Sequence, residues 1–219
     1  MIGRAPVRRL CAPGAGYACS TMAPSEAPSE AFPPAATEPP ATGALRDGLR
    51  AAASALKEHG PRFALAGSYA LWAYGAPEPS HDVDLVVAES DVDDAVATLT
   101  HAGFIVKRPP EDWLFKAWIG DTLVDVLHRV NGAPVGPADL DQAEEVDVLA
   151  IRMPVLPPTV VLIQQLRAMT ERHCDFGKLL PAVRAVRERL DWERIRAQTA
   201  QNNFAVAFLV LVDRLGLCA

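Results

Sequence analysis

Phe63-Ala-Leu-Ala-Gly67-Ser68-Tyr-Ala-Leu-Trp72 and, after a loop, His81-Asp82-Val83-Asp84-Leu85-Val86-Val87 form the stretch on which the reading of this chain turns. A short apolar run ends in Gly-Ser, a helical turn follows, and an Asp-x-Asp pair opens a second run of β-branched residues. Side chains of a strand alternate between its faces, so Asp82 and Asp84 point the same way while Val83 and Leu85 point into the core. Two adjacent carboxylates repel unless a cation lies between them. Oxygen donors on a rigid strand suit Mg²⁺, which is commonly held by one or two carboxylates plus substrate phosphates; Mn²⁺ is the alternative ion. Gly67 lets backbone come close to a phosphate, and Ser68 at the start of the next helix offers it a hydroxyl and free N–H groups. A bare Asp-x-Asp is more often a pair of exposed acids at a strand start. The Gly-Ser upstream sets this one apart.

Outward from that centre the chain reads as helices around a mixed sheet. Before it, Leu45, Leu49, Ala52, Ala53 and Leu56 recur at helical spacing from Ala44 to His59, and Gly60-Pro61 ends the run. Phe63 to Ala66 is a strand, Ser68 to Tyr74 a short helix and Asp82 to Ala88 the next strand. Ser90 is expected to cap a helix running to His101, whose early acids suit its positive N-terminus. Strands follow at 104–107, 113–119 and 122–129, the last two a hairpin turning at Gly120-Asp121. A Pro- and Gly-rich connection at 131–137 and an extended piece over 146–155 lead to Pro157-Pro158. Beyond it, helices are expected at 159–172, 176–189, 192–201 and 204–215, the last burying Phe204, Ala207, Phe208, Leu211 and Leu215.

The division into units follows: residues 1–43, rich in Pro and Ala without periodicity, as a disordered tail with Met22 as an alternative start; 44–156 as the catalytic core; 157–219 as a helical subdomain. Half of the 219 residues are apolar, enough for a real core. No apolar run approaches the roughly 20 residues of a membrane-spanning helix. The four cysteines, Cys11, Cys19, Cys174 and Cys218, lack metal-ligand spacing, and a reduced, cytoplasmic setting is the simplest expectation. The net charge of −6 is unevenly spread: residues 44–150 carry 8 Lys and Arg against 18 Asp and Glu, residues 151–219 carry 10 against 6. The basic half is where a triphosphate or RNA backbone would dock, although a solvated arginine-rich face explains it equally well.

The combination Ala66-Gly67-Ser68, a spacer of thirteen residues and Asp82-Val83-Asp84-Leu85 resembles the signature of the DNA polymerase β-type nucleotidyltransferase superfamily. The resemblance implies an α/β nucleotidyltransferase-type fold, in the α+β sense of a mixed sheet flanked by helices with a C-terminal helical bundle. It also implies a third carboxylate on a later strand. Asp125 in Leu123-Val124-Asp125-Val126-Leu127 matches, lying in a run that otherwise reads as core, where a carboxylate without a partner is costly. A core aspartate hydrogen-bonded to backbone is the plainer alternative.

A helical C-terminal half further resembles the AbiEii-type toxins, including the mycobacterial nucleotidyltransferase toxins of toxin–antitoxin pairs, over about residues 44–215. That family carries a lysine and then a charged residue with Asp in its helical half. Here Gln164-Gln165-Leu166-Arg167 stands in the lysine's place and Arg172-His173-Cys174-Asp175 supplies the rest. Arg167 would then hold the triphosphate, since a guanidinium can grip phosphate bidentately, with Asp175 beside it. Arg129 shares parity with Asp125 and faces the same site if the strand stays regular, whereas His128 faces the core. The resemblance implies a metal on Asp82, Asp84 and Asp125, an NTP (CTP or another pyrimidine nucleotide), the 3′ end of tRNA as acceptor, a cognate antitoxin and no membrane partner. Antibiotic-modifying nucleotidyltransferases of the aminoglycoside or lincosamide kind share the signature and are the first rival. A catalytically inert regulatory relative is the second.

Overall fold

The computed structural model describes residues 42–218. The expected disordered tail, with Met22, lies outside the described residues except for its last two, which open the first helix. In chain order, α1 (Thr42–His59) is followed by β1 (Phe63–Leu65), α2 (Gly67–Ala73), β2 (Val83–Val87), α3 (Val92–His101), β3 (Ile105–Lys107), β4 (Leu114–Ile119) and β5 (Thr122–Leu127). Then come the two-residue strands β6 (Arg129–Val130) and β7 (Ala133–Pro134), the single turn α4 (Pro137–Leu140) and the hairpin β8 (Glu144–Val148) to β9 (Ile151–Val155). Four helices complete it: α5 (Pro158–Arg167), α6 (Phe176–Val186), α7 (Trp192–Thr199) and α8 (Asn203–Arg214).

Seven strands form one mixed sheet in the order β3-β4-β5-β2-β1-β9-β8. At its centre β2 runs parallel to β5 and antiparallel to β1, and β1 runs parallel to β9. The hairpin β4–β5 turns at Gly120-Asp121 as expected, with Ile119 opposite Thr122 and Lys116 opposite Asp125. The extended piece over 146–155 is in fact a hairpin, its turn made by Leu149 and Ala150, both with positive φ. Neither residue type signals a two-residue turn. The acidic β8 forms one edge of the sheet, with Glu144, Glu145 and Asp147 all exposed.

One face of this sheet is covered by α1. Its Leu45, Leu49, Ala52, Ala53 and Leu56 are buried as their spacing requires, and it packs on β5, β9 and α3. Gly48 lies so close to the Thr122 side chain that a Cβ there would overlap it. Thr122 shares its face with Val124 and Val126, which stand opposite Val83 and Leu85. The alternate positions Asp84 and Asp125 therefore face away from α1.

On that second face α2 packs on β2, and α5 packs in turn on α2, α7 and α8. Two expectations about the helices need correcting. Ser90 caps nothing: its hydroxyl donates to Asp91, and a turn of 3-10 helix at Glu89–Asp91 precedes α3. In α8 the buried stripe is Ala205, Phe208, Leu209 and Val212, while Ala207 and Leu215 are exposed. The helix starts at Asn203 under the Asn202 cap, and Phe204 and Leu211 of the face read from sequence are only half-buried. Phe208, fully buried against Phe176 with ring centroids 5.2 Å apart, anchors this layer. Its truncation to Ala should cost about 3–5 kcal/mol.

Candidate active site

Parallel pairing of β2 with β5 sets Asp84 directly beside Asp125, and antiparallel pairing of β5 with β4 sets Asp125 directly beside Lys116. Lys116, Asp125 and Asp84 thus form a row across three adjacent strands, on the face that α1 leaves free. The Lys116 ammonium lies 3.1 Å and 3.2 Å from the two Asp125 oxygens. Asp82 stands one residue before β2, exposed in the preceding loop. It is therefore not the strand residue that strict alternation suggested.

Gly67 forms the wall next to Asp84. Its φ of +56° is a conformation that favours glycine, and a Cβ there would come within 2.7 Å of the Asp84 Cγ and overlap its carboxylate oxygen. The Gly-Ser element therefore packs directly on the Asp-x-Asp element. Ser68 follows, exposed, in the first turn of α2.

Electrostatics in this row are strained in one direction. Burial, the neighbouring Asp125 and the nearby Asp82 push the Asp84 carboxyl up to about 7, with Lys116 opposing. Burial also raises Asp125, and there the Lys116 hydrogen bond pulls back. A cation on Asp82 and Asp84 would relieve that repulsion. Hard oxygen donors of this kind fit Mg²⁺ or Mn²⁺, for which two carboxylates plus phosphate oxygens suffice. Among the described residues no three His, Cys, Asp or Glu side chains gather closely enough to form a metal cage by themselves.

A cavity of about 280 Å³ opens beside Asp84, with Gly67, Trp113, Leu127, Arg129, Asn131 and Gln165 in its walls. Arg129 reaches this cavity, but β5 has already ended at Leu127, and the guanidinium bonds the Glu89 carboxylate at 2.8 Å and the Gly132 carbonyl. Arg167 does not line it. Its Nε donates to the Gln198 carbonyl, 2.8 Å away, and it borders two other hollows. Asp175 is the N-cap of α6, its Oδ1 accepting from the Lys178 N–H. His128 is buried as expected, and burial holds its imidazole below the usual range.

Lys116 is the site residue that motif reading missed. A signal existed: the two-residue turn at Gly120-Asp121 fixes the register, and counting back from it places Lys116 opposite Asp125.

No family model matches the chain, and no curated protein matches it in sequence. Solved structures do match it in shape. The antibiotic-resistance factor ANT(2'')-Ia aligns with a TM-score of 0.55 at 16% identity, over 80% of this chain and 99% of that one. An antigenic nucleotidyltransferase-like protein from Paracoccidioides brasiliensis aligns with a TM-score of 0.50 at 14% identity, over 80% of this chain and 94% of its own. Likeness at such identities shows the fold alone: the chain shares with these structures an α/β architecture, a mixed sheet flanked by helices. Among the described residues no helix is long and apolar enough to cross a membrane.

Proposed function

We propose that the protein is a divalent-metal-dependent nucleotidyltransferase, moving a nucleoside monophosphate from an NTP to a hydroxyl acceptor. The observation that carries this reading is the contact of Gly67 with Asp84 in a row that also holds Asp125. That contact supports the reading because it would set a phosphate-approach element beside an acidic cation site, on a fold shared with nucleotidyltransferases. When bound, Mg²⁺ would neutralise the triphosphate and stabilise the in-line displacement. Asp82 and Asp84 would hold it. Gly67 and Ser68 would seat the triphosphate, and the cavity bounded by Trp113 and Leu127 would shield the reacting groups from water. Asp125 would take the proton of the acceptor hydroxyl as its oxygen attacks the α-phosphorus and the bond to pyrophosphate breaks. Asp125 would serve the cation only through its neighbour Asp84, because Lys116 already grips it. Arg129, tied to Glu89, would border the nucleotide without leading its capture.

For the acceptor, the resemblance to the AbiEii-type toxins supports the 3′ end of tRNA, with CTP or another pyrimidine nucleotide as donor, a growth-arresting role and a neutralising antitoxin. A small antibiotic is the second reading. The match to ANT(2'')-Ia over nearly that whole chain and the excess of acids in residues 44–150 favour it, since acids suit a cationic drug. The test is incubation of the purified chain with each labelled NTP, Mg²⁺, and either total tRNA or a panel of aminoglycosides and lincosamides. Label in RNA supports the first acceptor and label in drug the second. Asp82→Asn and Asp84→Asn should each lower transfer at least 100-fold while the circular dichroism spectrum is unchanged; wild-type rates in either variant overturn the metal assignment.

A further inference from the structure

We propose that Lys116 is the built-in counter-cation of Asp125, so that the site takes up one divalent ion, on Asp82 and Asp84, and not two. This rests on the metal-dependent reading above and specifies its stoichiometry. The first support is geometric. Antiparallel register sets Lys116 directly across from Asp125, and its ammonium is nearly equidistant from both carboxylate oxygens, at 3.1 Å and 3.2 Å. Each carboxylate oxygen keeps a lone pair that can still take a proton, but a divalent ion at Asp125 would stand beside the Lys116 ammonium, and the two cations repel.

The second support is what holds Lys116 there. On its far side β3 presents Lys107 directly opposite, and like charges facing each other across strands repel. The Lys107 ammonium sits over the Trp118 ring, 5.7 Å from its centroid. The Asp125 side chain is only 10% exposed and that of Lys116 34%, so water screens the pair less than it would a surface pair.

The third support is charge. Once a cation displaces the Asp84 proton, three carboxylates at Asp82, Asp84 and Asp125 less one ammonium carry a net charge of about −2, which one divalent ion neutralises. A second ion would make the site cationic before any phosphate arrived, and would stand against Lys116 itself.

The test is Mn²⁺ titration of the full chain without nucleotide, counting free Mn²⁺ by electron paramagnetic resonance. Wild type should bind one Mn²⁺ per chain, Lys116→Arg one, and Lys116→Met, which keeps the aliphatic stem, two. Asp82→Asn should lose the single wild-type ion. Two ions on wild type, or one on a folded Lys116→Met, overturn the counter-cation role and leave the metal-dependent reading standing. No Mn²⁺ on wild type overturns the single-ion stoichiometry, and loss of transfer on removing Mg²⁺ then decides the metal-dependent reading on its own. Should Lys116→Met fail to fold, the wild-type and Lys116→Arg counts still decide between one ion and two.

Discussion

Replacing Gly67 by alanine tests the contact between the two halves of the signature, and the molecule supplies its own control. Gly67 and Gly120 have almost the same φ, +56° and +55°. Their surroundings differ completely. A Cβ at Gly120 meets nothing within 4 Å, whereas one at Gly67 collides with Asp84. Left-handed backbone costs an L-residue about 1–2 kcal/mol, and both variants should lose that much. Gly67→Ala must in addition push the Asp84 side chain aside, and overpacking of this kind typically costs about 1–3 kcal/mol. The expected totals are therefore about 1–2 kcal/mol for Gly120→Ala and about 2–5 kcal/mol for Gly67→Ala. Urea denaturation followed by circular dichroism measures both, and each kcal/mol should move the melting temperature by about 2–4 °C in a chain of this size. Equal losses in the two variants, within about 0.5 kcal/mol, would refute the claim that Gly67 packs on Asp84.

Three further outcomes follow from the same geometry. Because the folded Asp84 carboxyl titrates near 7 and its ordinary value is 3.8, the folded chain holds an extra proton between those values. The metal-free protein should lose stability as pH rises from about 4 to about 7, by on the order of 4 kcal/mol from this group. Melting curves over that range should flatten with Mg²⁺ or in Asp84→Asn, and an unchanged slope in both would count against the assignment. Asp175→Ala should cost about 1 kcal/mol through its lost cap and leave nucleotide affinity at the wild-type level. Asn202→Ala should cost more, about 2–3 kcal/mol, because that side chain accepts from two N–H groups and donates to the Arg167 and Met169 carbonyls; urea titrations with the same loss in both variants would reject this ranking. Ser68→Asp should weaken NTP binding more than Ser68→Ala, since it sets a negative charge where phosphates belong. Equal affinities by calorimetry would remove Ser68 from the phosphate site.

What the sequence discloses about this fold depends on how local the determining physics is. Helical periodicity in α1 and the Gly-Asp turn of β4–β5 are local, and both are read correctly. Strand alternation read from sequence puts Asp82 and Asp84 on one face, but Asp82 lies before the strand begins, where parity no longer applies. The pairing of β2 with β5 lies about forty residues apart in the chain and is not written in either strand alone, so the juxtaposition of Asp84 with Asp125 came from the resemblance. The turn at Leu149-Ala150 escaped because two ordinary side chains hold positive φ there. Arg129 reaches the cavity beside Asp84 by another route than the one read from parity, since β5 stops two residues short of it. Asp175 was drawn to the nucleotide by analogy, although an aspartate three residues before a helical lysine is also an ordinary cap.

The edge strand β8 bears on how these molecules behave in company. An unpaired strand edge is a template onto which another copy's strand can add, and β8 meets that hazard with three acids in five residues. Arg152 on β9 lies 3.9 Å from Glu145 and 3.8 Å from Asp147 and offsets them in part, while Glu144 instead accepts from the Tyr74 hydroxyl. At neutral pH two such edges bring like charges together and repel. Acid protonates these carboxylates and concentrated salt screens them, so the border that keeps copies apart under ordinary conditions becomes, in acid or brine, the seam along which they join.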